Sequence, residues 1–292
     1  MAKKAAQTGP GAMGLVAMEQ MKFPESRRVL IDDLAYPILP FSTRAAIRLK
    51  AGPFTGDFIV RQAEKKVPGL WGSIMCRKRY IDDMVSKTVK KGEVEAVVNL
   101  GAGYDTRAYR LPVLKGVPFF ELDQSKTIED KRSRLTKLFG QVPAHVTLVP
   151  MDFDREEAGT VLAANGWIAE NRTFFIWEGV TQYLTESGVR STFDFLAEAS
   201  QGSRLVFTYI RKDFLNGENL QGLDFLRDKM VLKDRIWLFG MDPESVDGYL
   251  DSYGWRVLDH TGYEELAGLY VKPTGRELLS MPIERIVCAQ KV

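Results

Sequence analysis

The sequence predicts an α/β fold in which helices cover both faces of an open, mostly parallel sheet of seven strands. Short apolar runs, typical of strands buried on both faces, alternate with helix-like runs through the middle of the chain. Two more strand-like runs end the chain, where a second set of strand–helix units could have followed. The alternation predicts parallel strand–helix–strand units, and the last two runs complete the sheet.

The predicted elements follow one another in a regular order. The first five strands are predicted at 94–100, 117–122, 146–150, 173–177 and 204–210, with helices at 105–114, 125–139, 154–164 and 186–199. The remaining elements are a helix at 243–254, a strand at 255–260, a short helix at 262–270 and a strand at 283–290.

The chain of 292 residues is long enough for one large domain or two small ones. Residues 1–13 are small and polar, which predicts a flexible tail. Residues 14–90 contain helical patches broken by prolines and then a longer helical pattern, so we expect an N-terminal helical extension. The core then occupies 91–292, and its polar and aromatic stretch at about 211–240 predicts an inserted helical cap.

Composition excludes several classes of protein. The net charge is only +2, and its basic and acidic residues are interspersed, so neither nucleic acid nor an anionic membrane is an expected partner. We interpret most of the basic run Arg77-Lys78-Arg79 as a solvated helix face. Two cysteines without a CxxC pair argue against a disulfide scaffold or a zinc-thiolate site and predict a cytoplasmic protein. No apolar run approaches the ~20 residues that span a bilayer.

A glycine turn follows the first strand in the sequence "VVNLGAGYDT". Gly101 and Gly103 would let the backbone turn sharply and approach a ligand closely. Asp123 ends the next predicted strand, where a carboxylate can accept hydrogen bonds from both hydroxyls of a ribose. Together these features predict a nucleoside site, although a tight turn with a capping aspartate would also explain them.

Two further strand ends carry acidic residues. Asp152 follows the third strand, where it could accept from an adenine amino group with Phe153 against the ring, whereas Asp154 suits the cap of the next helix. Glu178 follows the fourth strand. Because ligands of open α/β sheets bind beyond the carboxyl ends of the strands, these side chains are expected to converge on one crevice.

Two observations favour S-adenosylmethionine over NAD as the nucleoside ligand. The turn lacks the third glycine of the dinucleotide fingerprint, and the chain ends in two strands, which is the ending of a methyltransferase sheet. An NAD-dependent oxidoreductase and a non-catalytic protein that binds S-adenosylmethionine remain the alternatives. No metal site is expected.

Five stretches resemble the leucine carboxyl methyltransferase family, namely "CRKRYIDD", "VVNLGAGYDTRAYRL", "FFELDQSKTIEDKR", "PMDFDRE" and "FIWEGVTQYL". The similarity extends from about Met13 to the C-terminus, and it is greatest to the bacterial and archaeal branch of S-adenosylmethionine-dependent O-methyltransferases, which includes polyketide-tailoring enzymes. It implies a class I methyltransferase (Rossmann-like) fold with a cap over the acceptor. The best-known member methylates a protein phosphatase subunit, but residues 211–240 carry no pattern for that substrate.

The resemblance also implies a role for each matching residue in binding the cofactor. Arg77 would contact the methionine carboxylate of the cofactor, and Gly101, Ala102 and Gly103 would pass beneath it. Asp123 would hold the ribose. Asp152 and Phe153 would contact the adenine, and Glu178 would lie near the methionine amino group. Arg107 and Arg110 belong to the same pattern and are expected to pair with Asp105 or Glu121.

The acceptor is predicted only by class, and no catalytic residue can be named. A carboxylate is already ionised at neutral pH, whereas a phenol needs a base. His145 precedes the third strand, at the wrong end of the sheet, and His260 is interpreted as an ordinary strand-end residue, which favours an acidic acceptor. Tyr183, Tyr209 and Glu178 stay open as proton acceptors or orienting groups. Apolar residues at 211–240 predict either an apolar acceptor pocket or packing of the cap: Phe214, Leu220, Phe225, Met230, Trp237 and Phe239.

Overall fold

The computed structural model describes residues 9–50, 64–65, 67–279 and 281–292. A seven-stranded sheet of order β3-β2-β1-β4-β5-β7-β6 forms its centre. Its strands are β1 Ala96–Leu100, β2 Phe119–Asp123, β3 Val146–Pro150, β4 Thr173–Trp177, β5 Arg204–Ile210, β6 Trp255–Gly262 and β7 Glu284–Lys291. The first five strands run parallel, and β7 lies antiparallel between β5 and β6. The predicted seven-stranded, mostly parallel sheet is therefore confirmed.

Helices cover both faces of this sheet. They are α1 Gly9–Lys22, α2 Phe41–Lys50, α3 Leu70–Lys90, α4 Arg107–Arg110, α5 Ser125–Phe139, α6 Ala158–Ala164, α7 Glu186–Ala197, α8 Lys212–Asn216, α9 Asp224–Arg227, α10 Val246–Asp251 and α11 Tyr263–Tyr270. Alternate residues of the strands face two separate apolar clusters, one shared with α1, α3, α5 and α11 and one with α6, α7 and α10. β1 and β4 are buried along their whole length because both clusters cover them.

The N-terminal helix begins earlier than predicted. α1 starts at Gly9, inside the segment predicted as a tail, and residues 1–8 lie outside the described residues. Met13, Val16 and Ala17 on this helix are buried in the first apolar cluster. The helix thus overlaps residues 9–13 of the predicted tail, because packing of its apolar side chains stabilises it, and the tail boundary stays a prediction.

Two predicted helices are shorter in the structure. The helix predicted at 105–114 ends at Arg110, because Pro112 lacks an N–H and Leu111 before it is extended, so a 3₁₀ turn Pro112–Leu114 follows. The helix predicted at 154–164 begins only at Ala158. Its cap is Glu157, whose carboxylate accepts from the backbone of Gly159 and Thr160, so the assignment of Asp154 as the cap is wrong.

The segment 211–240 lies beyond the carboxyl end of β5. It contains α8, α9 and a π-helical turn Asp228–Lys233, and its apolar side chains form a third cluster with Ile210, Met281 and Ile283. Backbone hydrogen bonds attach it at both ends, from Arg211 N to Ile283 O at 2.8 Å and from Leu238 N to Gln182 O at 2.7 Å. The division into extension, core and cap stays a prediction. Within the described residues, every helix is too short or too polar to cross a bilayer.

Candidate functional site

A cavity of about 720 Å³ opens at the carboxyl ends of β1, β2 and β4. Its wall combines strand ends with residues of α1, α3 and the segment 211–240. Seven of the eight predicted site residues line it: Arg77, Gly101, Ala102, Gly103, Asp123, Phe153 and Glu178. The fold therefore brings residues from five separate stretches of sequence to one place, as the rule for open α/β sheets predicts.

The glycine turn forms one wall of the cavity. Gly101 has a φ of +76° and Gly103 a φ of +48°, a region that side chains disfavour. A Cβ on Gly101 would collide with Val180, whereas a Cβ on Gly103 would meet no heavy atom within 4 Å. The backbone at Gly103 is thus open to the cavity. Position 101 requires a glycine, because Val180 packs closely against it.

Asp123 connects the end of β2 to this turn. Its Oδ2 accepts from Gly103 N at 2.8 Å and its Oδ1 from Gln124 N at 2.7 Å. Burial raises the pKa of Asp123, and the two N–H donors act in the opposite direction. The carboxylate keeps further acceptor capacity, because each of its oxygens can take more than one hydrogen bond.

Asp152 is the predicted site residue that the structure does not place in the cavity lining. Its side chain is 43% exposed, lies 3.7 Å from Arg155 Nε and accepts from Asp154 N at 3.1 Å. The reason is a local turn at 152–156, which directs the carboxylate towards its own neighbours. The neighbouring residues Phe153 and Asp154 line the cavity. The sequence analysis did not predict Asp154 as a site residue, because it interpreted that residue as a helix cap.

Glu178 joins three buried cations at the end of β4. It accepts from Arg77 Nε at 2.9 Å and from Arg107 Nη1 at 2.7 Å, and it lies 3.3 Å from Lys78 Nζ. Burial by itself would raise the pKa of Glu178, but Lys78, Arg107 and Arg77 together hold that pKa well below its usual range. The carboxylate is thus a fixed negative charge in the cavity wall.

Arg77 also reaches the antiparallel strand β7 at the same edge of the sheet. Its Nη1 donates to Glu284 Oε1 at 2.5 Å, at the first residue of β7. Arg77 and Lys78 are mostly buried, whereas Arg79 is 40% exposed and pairs with Asp83. The interpretation of this basic run as a solvated face is wrong for the first two residues, because α3 packs that side against the strand ends.

The sequence analysis predicted only part of the network of ion pairs next to the cavity. Arg107 is fully buried and donates to Asp82, Asp105 and Glu178, so the expected pairing with Asp105 is confirmed. Arg110 pairs with Asp82 and Asp32 rather than with the expected partners. Glu121 instead pairs with Lys131 Nζ at 2.7 Å and accepts from Tyr109. Asp32 and Asp82 were visible in the sequence, but their partners Arg107 and Arg110 lie far along the chain.

The described cavity lining contains neither histidine. His145 Nε2 lies 3.0 Å from Ala108 O, and His260 Nε2 lies 2.9 Å from the Tyr209 hydroxyl. Burial and the nearby Arg285 lower the pKa of His260. Both histidines therefore have structural neighbours, which matches the absence of an obvious histidine base in the sequence.

Part of the predicted apolar set faces the cavity. Phe225, Met230 and Trp237 line it, together with Leu226 and Leu238. Phe214, Leu220 and Phe239 pack inside the apolar clusters instead. Three of the six residues thus line the cavity and three pack in or against the apolar clusters, and an apolar acceptor pocket stays a prediction.

A comparison with the profiles of known protein families shows to which family the chain belongs. The profile of the leucine carboxyl methyltransferase family matches residues 11–197. The chain belongs to the leucine carboxyl methyltransferase family. The resemblance in the five motifs is therefore confirmed, and the protein is a methyltransferase, which disfavours the oxidoreductase reading.

Relatives and solved structures agree with this membership. A Mycobacterium ulcerans protein named "Putative S-adenosyl-L-methionine-dependent methyltransferase" is 30% identical over 274 residues, or 91% of this chain and 89% of the relative. A Frankia alni protein of the same description is 31% identical, covering 90% and 87%. The fold is similar to a DUF574 family protein from Streptomyces avermitilis (TM-score 0.59, 10% identity, 94% of this chain and 100% of that one). It is also similar to a Thermobifida fusca protein described as a "putative methyltransferase" (TM-score 0.57, 13% identity, 94% and 97%). The class I methyltransferase fold is confirmed.

Proposed function

We propose that this methyltransferase uses S-adenosylmethionine to methylate an oxygen atom of a small, partly apolar acceptor, with a carboxylate favoured over a hydroxyl. One observation carries the proposal. A single cavity joins the glycine turn and the strand-end carboxylates to an apolar wall from the segment 211–240. The names of the relatives from Mycobacterium ulcerans and Frankia alni support the cofactor.

The residues of the cavity fit this cofactor. Gly103 leaves the wall open, and Asn99 Nδ2, which is buried in the lining, has no hydrogen-bond partner among the described residues. A buried donor without a partner costs about 1–3 kcal/mol, so its position beside the turn favours a bound polar ligand. The charged groups on the same wall complement a cofactor that carries charges of both signs.

Each lining residue has a proposed task. Asp123 holds the ribose hydroxyls, Phe153 lies against the adenine, and Gly101, Ala102 and Gly103 let the methionine part approach the backbone. Arg77 binds the methionine carboxylate and Glu178 the methionine amino group. Asp154 replaces Asp152 as the acidic residue beside the base, because Asp154 lines the cavity.

When bound, S-adenosylmethionine supplies an electrophilic methyl group on its sulfonium. The chain has to align the acceptor oxygen and exclude water, and such positioning can contribute roughly 7–11 kcal/mol. A carboxylate acceptor arrives ionised, with a reference pKa of ~4, whereas a phenol at ~10 would have to lose a proton. The described lining contains no histidine to take that proton, which favours the carboxylate.

Calorimetric titration with S-adenosylmethionine, S-adenosylhomocysteine and NAD tests the cofactor. We expect micromolar binding of the two sulfur ligands and none of NAD. Transfer of a labelled methyl group to hydrophobic carboxylic acids and to their alcohol analogues then tests the acceptor class, and base-labile methyl esters are expected. NAD binding without the sulfur ligands would support an oxidoreductase, and cofactor binding without any methylated product would support a non-catalytic protein.

We also propose the cytoplasm as the compartment of this enzyme. Cys76 and Cys288 are both free and buried, and burial raises the pKa of the Cys76 thiol to about 12 and that of the Cys288 thiol to about 11. Two unreactive thiols suit a reducing environment. Fractionation of the cells that produce the protein tests this location.

A further inference from the structure

Besides Asn99, two polar side chains of the cavity wall carry buried atoms that lack a hydrogen-bond partner among the described residues. They are Gln182 Oε1 and Trp237 Nε1, on residues that are 5% and 7% exposed, and no described residue satisfies either atom. Both residues line the cavity. The backbone brings them together, because Gln182 O accepts from Leu238 N at 2.7 Å, one residue beyond Trp237. They therefore mark the junction between the turn after β4 and the segment 211–240.

Two buried polar atoms without hydrogen-bond partners destabilise the protein unless a ligand bonds to them. More than 90% of buried polar groups in proteins have a partner, and an unsatisfied one costs about 1–3 kcal/mol. Other buried tryptophans follow the rule, since Trp167 Nε1 donates to Thr173 Oγ1 and Trp255 Nε1 donates to Leu196 O, both at 3.1 Å. Trp177 Nε1 also lacks a partner, but Trp177 packs inside the second apolar cluster, away from the cavity lining.

The two atoms determine which chemical group could form hydrogen bonds with both of them. An indole N–H only donates, and an amide oxygen only accepts. A hydroxyl satisfies both at once, because it accepts from Trp237 and donates to Gln182. A carboxylate only accepts, so it would leave Gln182 Oε1 unsatisfied. The surrounding wall is apolar, with Phe225, Leu226 and Met230 nearby in the lining.

We propose that Gln182 and Trp237 hold a second polar group of the acceptor, a neutral hydroxyl, while its apolar body lies against the segment 211–240. The inference rests on the proposed function, because it assumes that the methylated oxygen is a carboxylate elsewhere on the same molecule. The substrate class is then an apolar carboxylic acid that carries a hydroxyl group. Gln182 and Trp237 determine specificity and take no part in moving the methyl group.

The first test needs neither acceptor nor activity. In the acceptor-free protein, Gln182→Met and Trp237→Phe each remove an unsatisfied buried atom and keep most of the side-chain volume. We expect the melting temperature of each variant to equal or exceed that of the wild type. Trp255→Phe is the matched control and should melt at a lower temperature, because it removes the hydrogen bond from Trp255 Nε1 to Leu196 O. A decrease in both test variants as large as in the control would overturn the proposal.

The second test measures binding to the protein loaded with S-adenosylhomocysteine. The probes are decanoic acid, ω-hydroxydecanoic acid and sebacic acid, and hydrocinnamic acid with its para-hydroxy and para-carboxy derivatives. We expect the hydroxy member of at least one set to bind at least ~10-fold more tightly than its parent. That preference should disappear in Gln182→Met and Trp237→Phe, and it should persist in Trp167→Phe, which lies outside the lining.

The outcomes separate this inference from the proposed function. Three results would each overturn the hydroxyl site. They are equal binding of parent and hydroxy acids, preference for the dicarboxylic acids, and no binding of any probe to a protein that binds S-adenosylhomocysteine. If S-adenosylhomocysteine itself fails to bind, the proposed function fails. The melting temperatures would still decide whether the two side chains are reserved for a ligand.

Discussion

Arg77 and Glu178 lie 101 positions apart in the chain, yet Arg77 Nε donates to Glu178 Oε1 at 2.9 Å. This hydrogen bond connects α3 to the carboxyl end of β4, and both residues line the cavity. Arg107 and Lys78 approach the same carboxylate. Glu178 therefore contacts three buried cations, which also pair with Glu284, Asp105 and Asp82, at the point where the helical N-terminal part meets the sheet.

Replacing Glu178 by glutamine should destabilise the protein strongly. The variant leaves Arg77, Lys78 and Arg107 buried with less compensating charge, so the free energy of unfolding should decrease by about 3–5 kcal/mol in urea denaturation. Glu186→Gln is the matched control, because Glu186 pairs with Arg190 at 2.8 Å on an exposed helix surface. That control should cost less than ~1 kcal/mol. Equal effects of the two variants would contradict the role of Glu178.

Replacing Asp123 by alanine should weaken cofactor binding while the protein stays folded. Each charge-assisted hydrogen bond to a ribose hydroxyl contributes about 1.5–3 kcal/mol, so the affinity for S-adenosylhomocysteine should decrease at least ~10-fold in calorimetry. Asp152→Ala is the control and should bind nearly as well as the wild type, because Asp152 lies outside the cavity lining. A folded Asp123 variant with unchanged affinity would remove Asp123 from the site.

Gly101→Ala should damage the glycine turn in two ways. The new Cβ would collide with Val180, and a residue with a φ of +76° is strained by about 1–3 kcal/mol. Gly116→Ala isolates the strain, because Gly116 has a φ of +85° and no heavy atom within 4 Å of the new Cβ. Thermal unfolding should show a larger loss for Gly101→Ala than for Gly116→Ala, and adding Val180→Ala should recover part of the difference. Similar losses at both glycines would show that the contact with Val180 does not matter.

His260 should make the protein less stable in mild acid. Burial and Arg285 lower its pKa in the folded state below the ordinary histidine value of about 6.5, while Asp247, Asp259 and Glu265 act in the opposite direction. The unfolded chain therefore binds more protons between the two pKa values, and the free energy of unfolding decreases as the pH falls below about 6.5. The difference in unfolding free energy between wild type and His260→Asn, measured from about pH 7 to pH 5, should show this slope. His145→Asn should keep the slope, and a wild type that loses no stability relative to His260→Asn would contradict the prediction.

Much of the fold could be predicted because local patterns determine it. β3, β4 and β5 have the predicted bounds, since apolar runs of five to seven residues between turn residues specify a buried strand. α5 also matches its prediction, from Ser125 to Phe139. The helix end at Leu114 and the helix start at Asp154 were wrong, because a proline and a side-chain turn change the backbone over only a few residues.

The sequence by itself determined the sheet, the glycine turn and the approximate place of Asp123 and Glu178, because strand ends of a parallel sheet meet at one edge. Only the tertiary structure decided which side chains face the cavity. It placed Asp154 rather than Asp152 in the lining, buried Lys78 with Asp105, paired Arg110 with Asp82 and left Gln182 Oε1 and Trp237 Nε1 without partners among the described residues. Those contacts join residues that are distant in the chain, and the direction of a side chain depends on backbone angles and neighbours that hydrophobic periodicity does not encode.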